Sequence, residues 1–177
     1  SAGYHVYHMV LNTKDYGVPQ NRERVFIVGI RDDKDNSFRF PKTQHLTKRL
    51  KDILEETVKN KYFIKLNKGE NIINKINGNV IKILNGGRWD KMNEQNRRIY
   101  NTNHEAPTIH TMQGGHREPK ILMKTNKSLR KLTPRECFRL QDFPDTFKMP
   151  CSDSQMYKQA GNSITVGVLY NILKNLI

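Results

Sequence analysis

The chain has 177 residues, 31 Lys and Arg against 17 Asp and Glu, a formal charge of +14 and only 36% hydrophobic residues. That length suits one ordinary domain or two small ones with a modest core, and with no apolar run near ~18 residues a membrane-spanning helix is excluded. The charge points to a polyanion, nucleic acid before membrane, although a Lys/Asn/Ile-rich composition inherited from an AT-rich genome would give the same charge without a ligand.

Tyr4 to Leu11 alternates loosely and reads as a strand, and Asp15 to Gln20 turns through Gly17 and Pro19. Val25 to Ile30 is a β-branched and aromatic run closed by Arg31-Asp32-Asp33, the pattern of a buried strand. Thr47 is placed to cap a helix with Leu50, Ile53, Leu54 and Val58 on one face, ending near Asn60. Tyr62 to Asn85 is Lys/Asn-rich with short Ile/Val runs and predicts no definite element. Gly86-Gly87-Arg88-Trp89 marks a loop, with Trp89 expected in a small core. Arg98 to Tyr100 and Pro107 to Met112 read as short strands around a polar turn, and Gly114-Gly115 as a turn.

Thr133-Pro134-Arg135-Glu136 is a helix start: Thr at the N-cap, Pro at the first helical position and Glu closing a capping box. Phe143-Pro144-Asp145 ends that helix. A last helix is expected from Asn162 or Ser163. Its stripe of Ile164, Val168, Leu169, Ile172, Leu173 and Leu176 is wider than this chain can cover, which predicts an interface. No internal repeat is present.

Three runs stand out, two of them with candidate chemistry. In Gln20-Asn21-Arg22-Glu23-Arg24 the alternation puts Arg22 and Arg24 on one face of an extended chain. They read either as a solvated strand edge balanced by Glu23 or as permanently charged, rigid donor forks. Gln159-Ala160-Gly161-Asn162-Ser163 offers short polar side chains at a turn, able to cap a helix and to contact a polar ligand at once. The run from Leu132 to Asp145 is architectural; its Arg135 and Arg139 either touch phosphate or pair with Glu136 or Asp142. Cys137 reads as a small core residue, and two cysteines with no Cys-x-x-Cys pair argue against a disulfide framework or a metal site. Reduced cysteines fit a cytoplasmic setting.

In this order, with Tyr16-Gly17-Val18-Pro19 ahead of the first, these runs resemble the last three conserved blocks of bacterial-type DNA (cytosine-5) methyltransferases. The resemblance is dense over residues 1–40 and 98–177 and thin over 41–97. It implies an α/β fold: the end of a Rossmann-like methyltransferase sheet in residues 1–40, a small mixed α+β target-recognition domain in 41–160, and a final helix returning to the catalytic domain in 161–177. The implied activity is transfer of a methyl group from S-adenosylmethionine to C5 of a cytosine flipped out of double-stranded DNA. By position, Arg24 donates to cytosine O2, Arg22 lines the same pocket or holds a phosphate, and Gln20 braces the loop. Asn162 and Ser163 complete the S-adenosylmethionine pocket.

DNA reading falls between about Asn85 and Gly115. There Gln95 enters the DNA, Arg98 pairs with guanine, Arg88 meets a base or phosphate, and Thr108-Ile109 matches a Thr-Leu pair of relatives. The family's Phe-x-Gly-x-Gly donor loop and Pro-Cys-Gln nucleophile precede the first run and do not occur in these 177 residues. Pro150-Cys151 does not substitute: Ser152 follows it, and it comes after the Phe-Pro-Asp block. The expectation is the DNA-recognition half of a restriction-modification methyltransferase in the bacterial cytoplasm, inactive alone and partnered by an N-terminal half or subunit. The alternative is a stand-alone sequence-specific DNA-binding protein without catalysis.

Overall fold

The computed structural model describes residues 3–34, 37–112, 114–123 and 128–176, without the side chains of Lys75 and Ile76. Strands β1 (Tyr4–Asn12) and β2 (Glu23–Arg31) pair antiparallel, Tyr4 opposite Arg31 and Asn12 opposite Glu23. A 3-10 turn, Thr13–Tyr16, links them and closes on Gly17 at φ 84°, a left-handed position that favours glycine. Side chains alternate across this ribbon. Tyr7, Phe26, Val28 and Ile30 pack with Phe38 and Phe40 against Val168 and Ile172 of the last helix, α4 (Val166–Lys174). The opposite face carries Val6, Val10, Val25 and Ile27 and is bare, Ile27 being 71% exposed.

The middle of the chain holds a five-stranded sheet in sequence order: β3 (Asn71–Asn77), β4 (Val80–Asn85), β5 (Arg98–Tyr100), β6 (Lys120–Leu122) and β7 (Leu129–Lys131). Only β5 and β6 run parallel. Trp89 is fully buried with Leu84, Ile99 and Leu129 on this sheet. A larger core joins Leu50, Ile53, Ile121, Leu132, Phe138 and Leu140 to Met156 and Tyr157. Short α1 (Glu94–Arg97), α2 (Pro134–Arg139) and α3 (Asp153–Asn162) complete the architecture. No helix of the described residues is long and apolar enough to cross a membrane.

α2 begins as its residues dictate, with Thr133 and Glu136 in a reciprocal capping box and Pro134 at the first position. Glu136 also receives Arg130 in two bonds of 2.8 and 2.7 Å, both side chains fully buried, and the backbone N–H of Glu55. The carboxylate is thereby fully engaged, which offsets much of the cost of burying the pair, while the buried Arg130 Nε has no partner among the described residues.

Four expectations fail for identifiable reasons. The helix over 47–60 shrinks to a 3-10 turn, Leu50–Ile53, capped at Arg49, because the Leu50 and Lys51 N–H groups bond His104 O and Thr102 O instead of continuing a helix. Pro107 to Met112 forms no strand; side chains of the 19–22 segment take its backbone groups, as described below. The last helix starts at Val166, since Asn162 ends α3 and residues 163–165 form an extended joint. Its stripe is only partly covered, in line with its width: Val168 and Ile172 are buried, while Ile164 and Leu173 are 41% and 48% exposed, and a further bare apolar face lies on the ribbon. Arg139 bonds Asp145 and Ile53 O, and Arg135 bonds Phe147 O, rather than Glu136 or Asp142.

Candidate functional site

The loop after Pro19 leaves the sheet edge and is fixed from both sides. Gln20 is fully buried; its amide donates to Leu140 O at 2.5 Å and accepts from Ile109 N–H at 3.2 Å. Asn21 N–H donates to Ala106 O, Ala106 N–H to Pro19 O, and Thr108 Oγ1 to Asn21 O. Segment 106–109 is therefore laced onto 19–22, which is why it needs no ladder of its own.

Arg22 is 5% exposed and works as a brace. Its guanidinium donates to Ile109 O at 3.0 Å, Gly161 O at 3.1 Å and Ser163 O at 3.0 Å. Burial, with Arg24 adding repulsion, pulls its pKa down to about 10, so it remains charged at neutral pH. With these donors engaged, phosphate holding, one of the two expected roles, has little left to work with; the guanidinium ties the reading segment to the α3–α4 joint. Gly161 sits where that joint presses on the chain: a Cβ there would lie 2.1 Å from His110 O and 2.6 Å from Thr111 N.

Arg24, two residues on, is exposed, and its one recorded bond is to the neighbouring Glu23 O. Arg22, Arg24, Asn162 and Ser163 line one cavity of about 310 Å³, with Thr165 and the apolar Val25 and Ile27 as further wall. One arginine just before β2 and one within it thus meet, in one place, polar groups from the end of α3 and the following joint some 140 residues later. Thr165 is held there by Thr13 Oγ1 at 3.1 Å and Gln141 Oε1 at 2.9 Å. A guanidinium beside an amide and a hydroxyl, next to apolar wall, can hold a planar polar ring and part of a zwitterionic donor such as S-adenosylmethionine. The donor set fits that group, though it forms only one side of an enclosure.

The residues expected to read DNA divide. Gln95 and Thr108 face one polar cleft of about 420 Å³. Arg98 and Arg88 do not line it. Arg98 is clamped by Glu94 at 3.0 and 3.2 Å, and Arg88 lies over Trp89, 3.2 Å from Glu70 Oε1 and bonded to Lys65 O. The cleft also takes in Asn93, Asn96, His110, Thr111 and Arg117, which sequence reasoning did not single out. A cluster of Asn and Gln beside a Gly-Gly turn was the available signal. Cys137 is fully buried, its thiol pushed up by burial and by Glu136, while Cys151 is exposed near Gln159.

Comparison with known proteins gives this geometry a family. The chain is 31% identical to the orphan methyltransferase M.SPBetaI of Bacillus phage SPbeta, over 99% of this chain and 59% of that protein. It is 37% identical to the type II methyltransferase M.Bsp6I of a Bacillus strain, over 99% of this chain and 56% of that protein. The chain thus spans a little over half the length of these relatives. The crystal structure of Spodoptera frugiperda DNMT2 superposes with a TM-score of 0.72 at 19% identity, over 98% of this chain and 58% of that one, in accord with an α/β methyltransferase fold. Over residues 1–177 the sequence matches the C-5 cytosine-specific DNA methylase family, and the chain belongs to that family.

Proposed function

We propose that this chain is the DNA-recognition half of a DNA (cytosine-5) methyltransferase and that it acts together with an N-terminal half carrying the cysteine nucleophile. The observation that carries the reading is the single cavity lined by Arg22, Arg24, Asn162 and Ser163, laced through Gln20 and Thr108 to the polar cleft of Gln95. The bare ribbon face of Val6, Val10, Val25 and Ile27 supports a partner half, since an exposed contiguous apolar patch marks an interface.

In this reading, attack of the partner's thiolate on C6 places negative charge on the cytosine ring, and Arg24 donates to O2 as that charge develops. Arg24 suits the task because its guanidinium is exposed and bonded to the adjacent Glu23 O, whereas Arg22 keeps the loop and the joint in register. S-adenosylmethionine supplies the electrophilic methyl group; Asn162 and Ser163 contact it from the joint. Gln95 and Thr108 meet the DNA from the polar cleft they line, while Arg88 and Arg98 act through the domain's own structure. The substrate sets the location, the DNA of a bacterial cytoplasm, in the setting of restriction-modification methyltransferases.

The test is reconstitution. The chain alone, with labelled S-adenosylmethionine and mixed-sequence duplex, gives no transfer; adding the N-terminal half of a relative such as M.Bsp6I restores it, saturating at one to one. Transfer by the chain alone that disappears in Cys151→Ser refutes the reading. Duplex binding with no transfer in any combination favours a DNA-binding protein without catalysis.

A further inference from the structure

A further cavity, of about 390 Å³, opens beside the five-stranded sheet among Lys61, Lys65, Arg88, Lys120 and Lys131, with Glu118 the one carboxylate in its wall among the described residues. Three of the cations have acidic partners: Lys131 bonds Glu118 at 2.7 Å, Lys61 bonds Asp153 at 2.6 Å, and Arg88 lies 3.2 Å from Glu70. Lys120 differs. It is 2% exposed, and its ammonium donates to two backbone carbonyls, His116 O at 2.5 Å and Glu118 O at 2.9 Å, over the Trp89 ring at 5.9 Å.

A buried ammonium whose hydrogen bonds among the described residues go to neutral carbonyls is costly to keep charged, even with the Glu118 carboxylate attracting it. Burial accordingly pulls Lys120 down to about 8, and His116 in the same wall is lowered by its own burial and then by Lys120 and Arg88. An anion in the cavity would relieve both. The cations are mostly lysines, point charges suited to phosphate rather than to the planar edges of bases. Glu118 lines this cavity and also the polar cleft of Gln95 and Thr108, so the two are adjacent across the 116–120 segment.

We propose that the Lys120 pocket takes a backbone phosphodiester of the bound duplex, outside the bases being read. The inference rests on the reading of this chain as a DNA-binding half. A phosphate there anchors the small domain through charge alone, contributing affinity and orientation but no sequence choice.

The experiment uses the full chain and mixed-sequence duplexes titrated at several salt concentrations. Lys120→Met keeps the length and removes the charge; Lys65→Gln removes an exposed charge at the rim and leaves the core untouched. Each variant should lose affinity equally on every duplex and lower the log–log salt slope by roughly 0.9. In the wild type, duplex should raise the His116 imidazole pKa as followed by NMR. Duplex binding with unchanged slopes in both variants and an unmoved His116 overturns the pocket while leaving DNA binding intact. A His116 that responds to inorganic phosphate but not to duplex overturns it as well. Absence of any duplex binding removes the underlying reading instead. Should Lys120→Met fail to fold, Lys65→Gln and the His116 titration carry the decision.

Discussion

Arg22 and Arg24 are two residues apart, but the first is buried and bonded to three carbonyls while the second is exposed, a difference that mutation can separate. Arg22→Met removes the donor to three carbonyls, of which those of Ile109 and Gly161 belong to buried residues. Hydrogen bonds from a charged donor contribute ~1.5–3 kcal/mol each, and an orphaned buried acceptor costs ~1–3 kcal/mol. Part of this is offset because a guanidinium no longer has to be desolvated, the same burial that pulls Arg22 down to about 10. The net loss should be about 3–5 kcal/mol, or ~6–20 °C in Tm for a chain of this size. Arg24→Met loses one bond to the adjacent Glu23 O on the surface and should stay within ~0.5 kcal/mol of wild type. Urea titrations followed by far-UV circular dichroism, with m-values compared, give both numbers. An Arg22→Met protein within ~1 kcal/mol of wild type, or an Arg24→Met protein equally destabilised, refutes the brace.

Gly161→Ala forces a Cβ into the backbone of residues 110–111 and should cost ~1–3 kcal/mol by the same titration. Desolvation raises the Asp153 carboxyl, but hydrogen bonds from Lys61 and Tyr62 outweigh it and hold it below its ordinary 3.8. The stability it contributes is therefore present above that value and lost as pH falls through the lowered folded value. Asp153→Asn should cost ~1 kcal/mol at neutral pH, and the difference from wild type should close in acid; a constant gap across pH would contradict the pairing. In the assembled enzyme Gln95→Ala should cost ~1–3 kcal/mol at one base position, read from binding to single-substitution duplexes, while Arg98→Ala should alter sequence choice far less.

Local signals were legible where local physics decides. β2 follows from its β-branched and aromatic run, though it is bare on one face and not buried as that run suggests; β1 follows from its loose alternation, and α2 from a capping box that needs no tertiary help. The turn Asn77-Gly78 between Ile-rich runs marks the β3–β4 hairpin, with Gly78 at φ 56°, but its Lys/Asn surround hid the alternation. Thr47 and the apolar spacing behind it suggested a helix that distant carbonyls at 102 and 104 override. The break between α3 and α4 was illegible because Arg22 and Gln141, far away in sequence, hold residues 163–166 extended. For the same reason the motif arginines could be found from spacing, but which of them is buried could not. That depends on where the 109 and 161 carbonyls arrive in space.

In the proposed enzyme Arg24, Asn162 and Ser163 serve one reacting centre, while Arg22 holds it together. The most direct test is single-turnover methyl transfer by the reconstituted enzyme carrying Arg24→Met, with DNA affinity measured in parallel. Loss of one preorganised donor to developing charge should slow transfer by ~10²–10³ with duplex affinity nearly unchanged, and Arg24→Lys should recover only part of the rate. Transfer at the wild-type rate by an Arg24→Met enzyme whose halves still assemble would contradict the account.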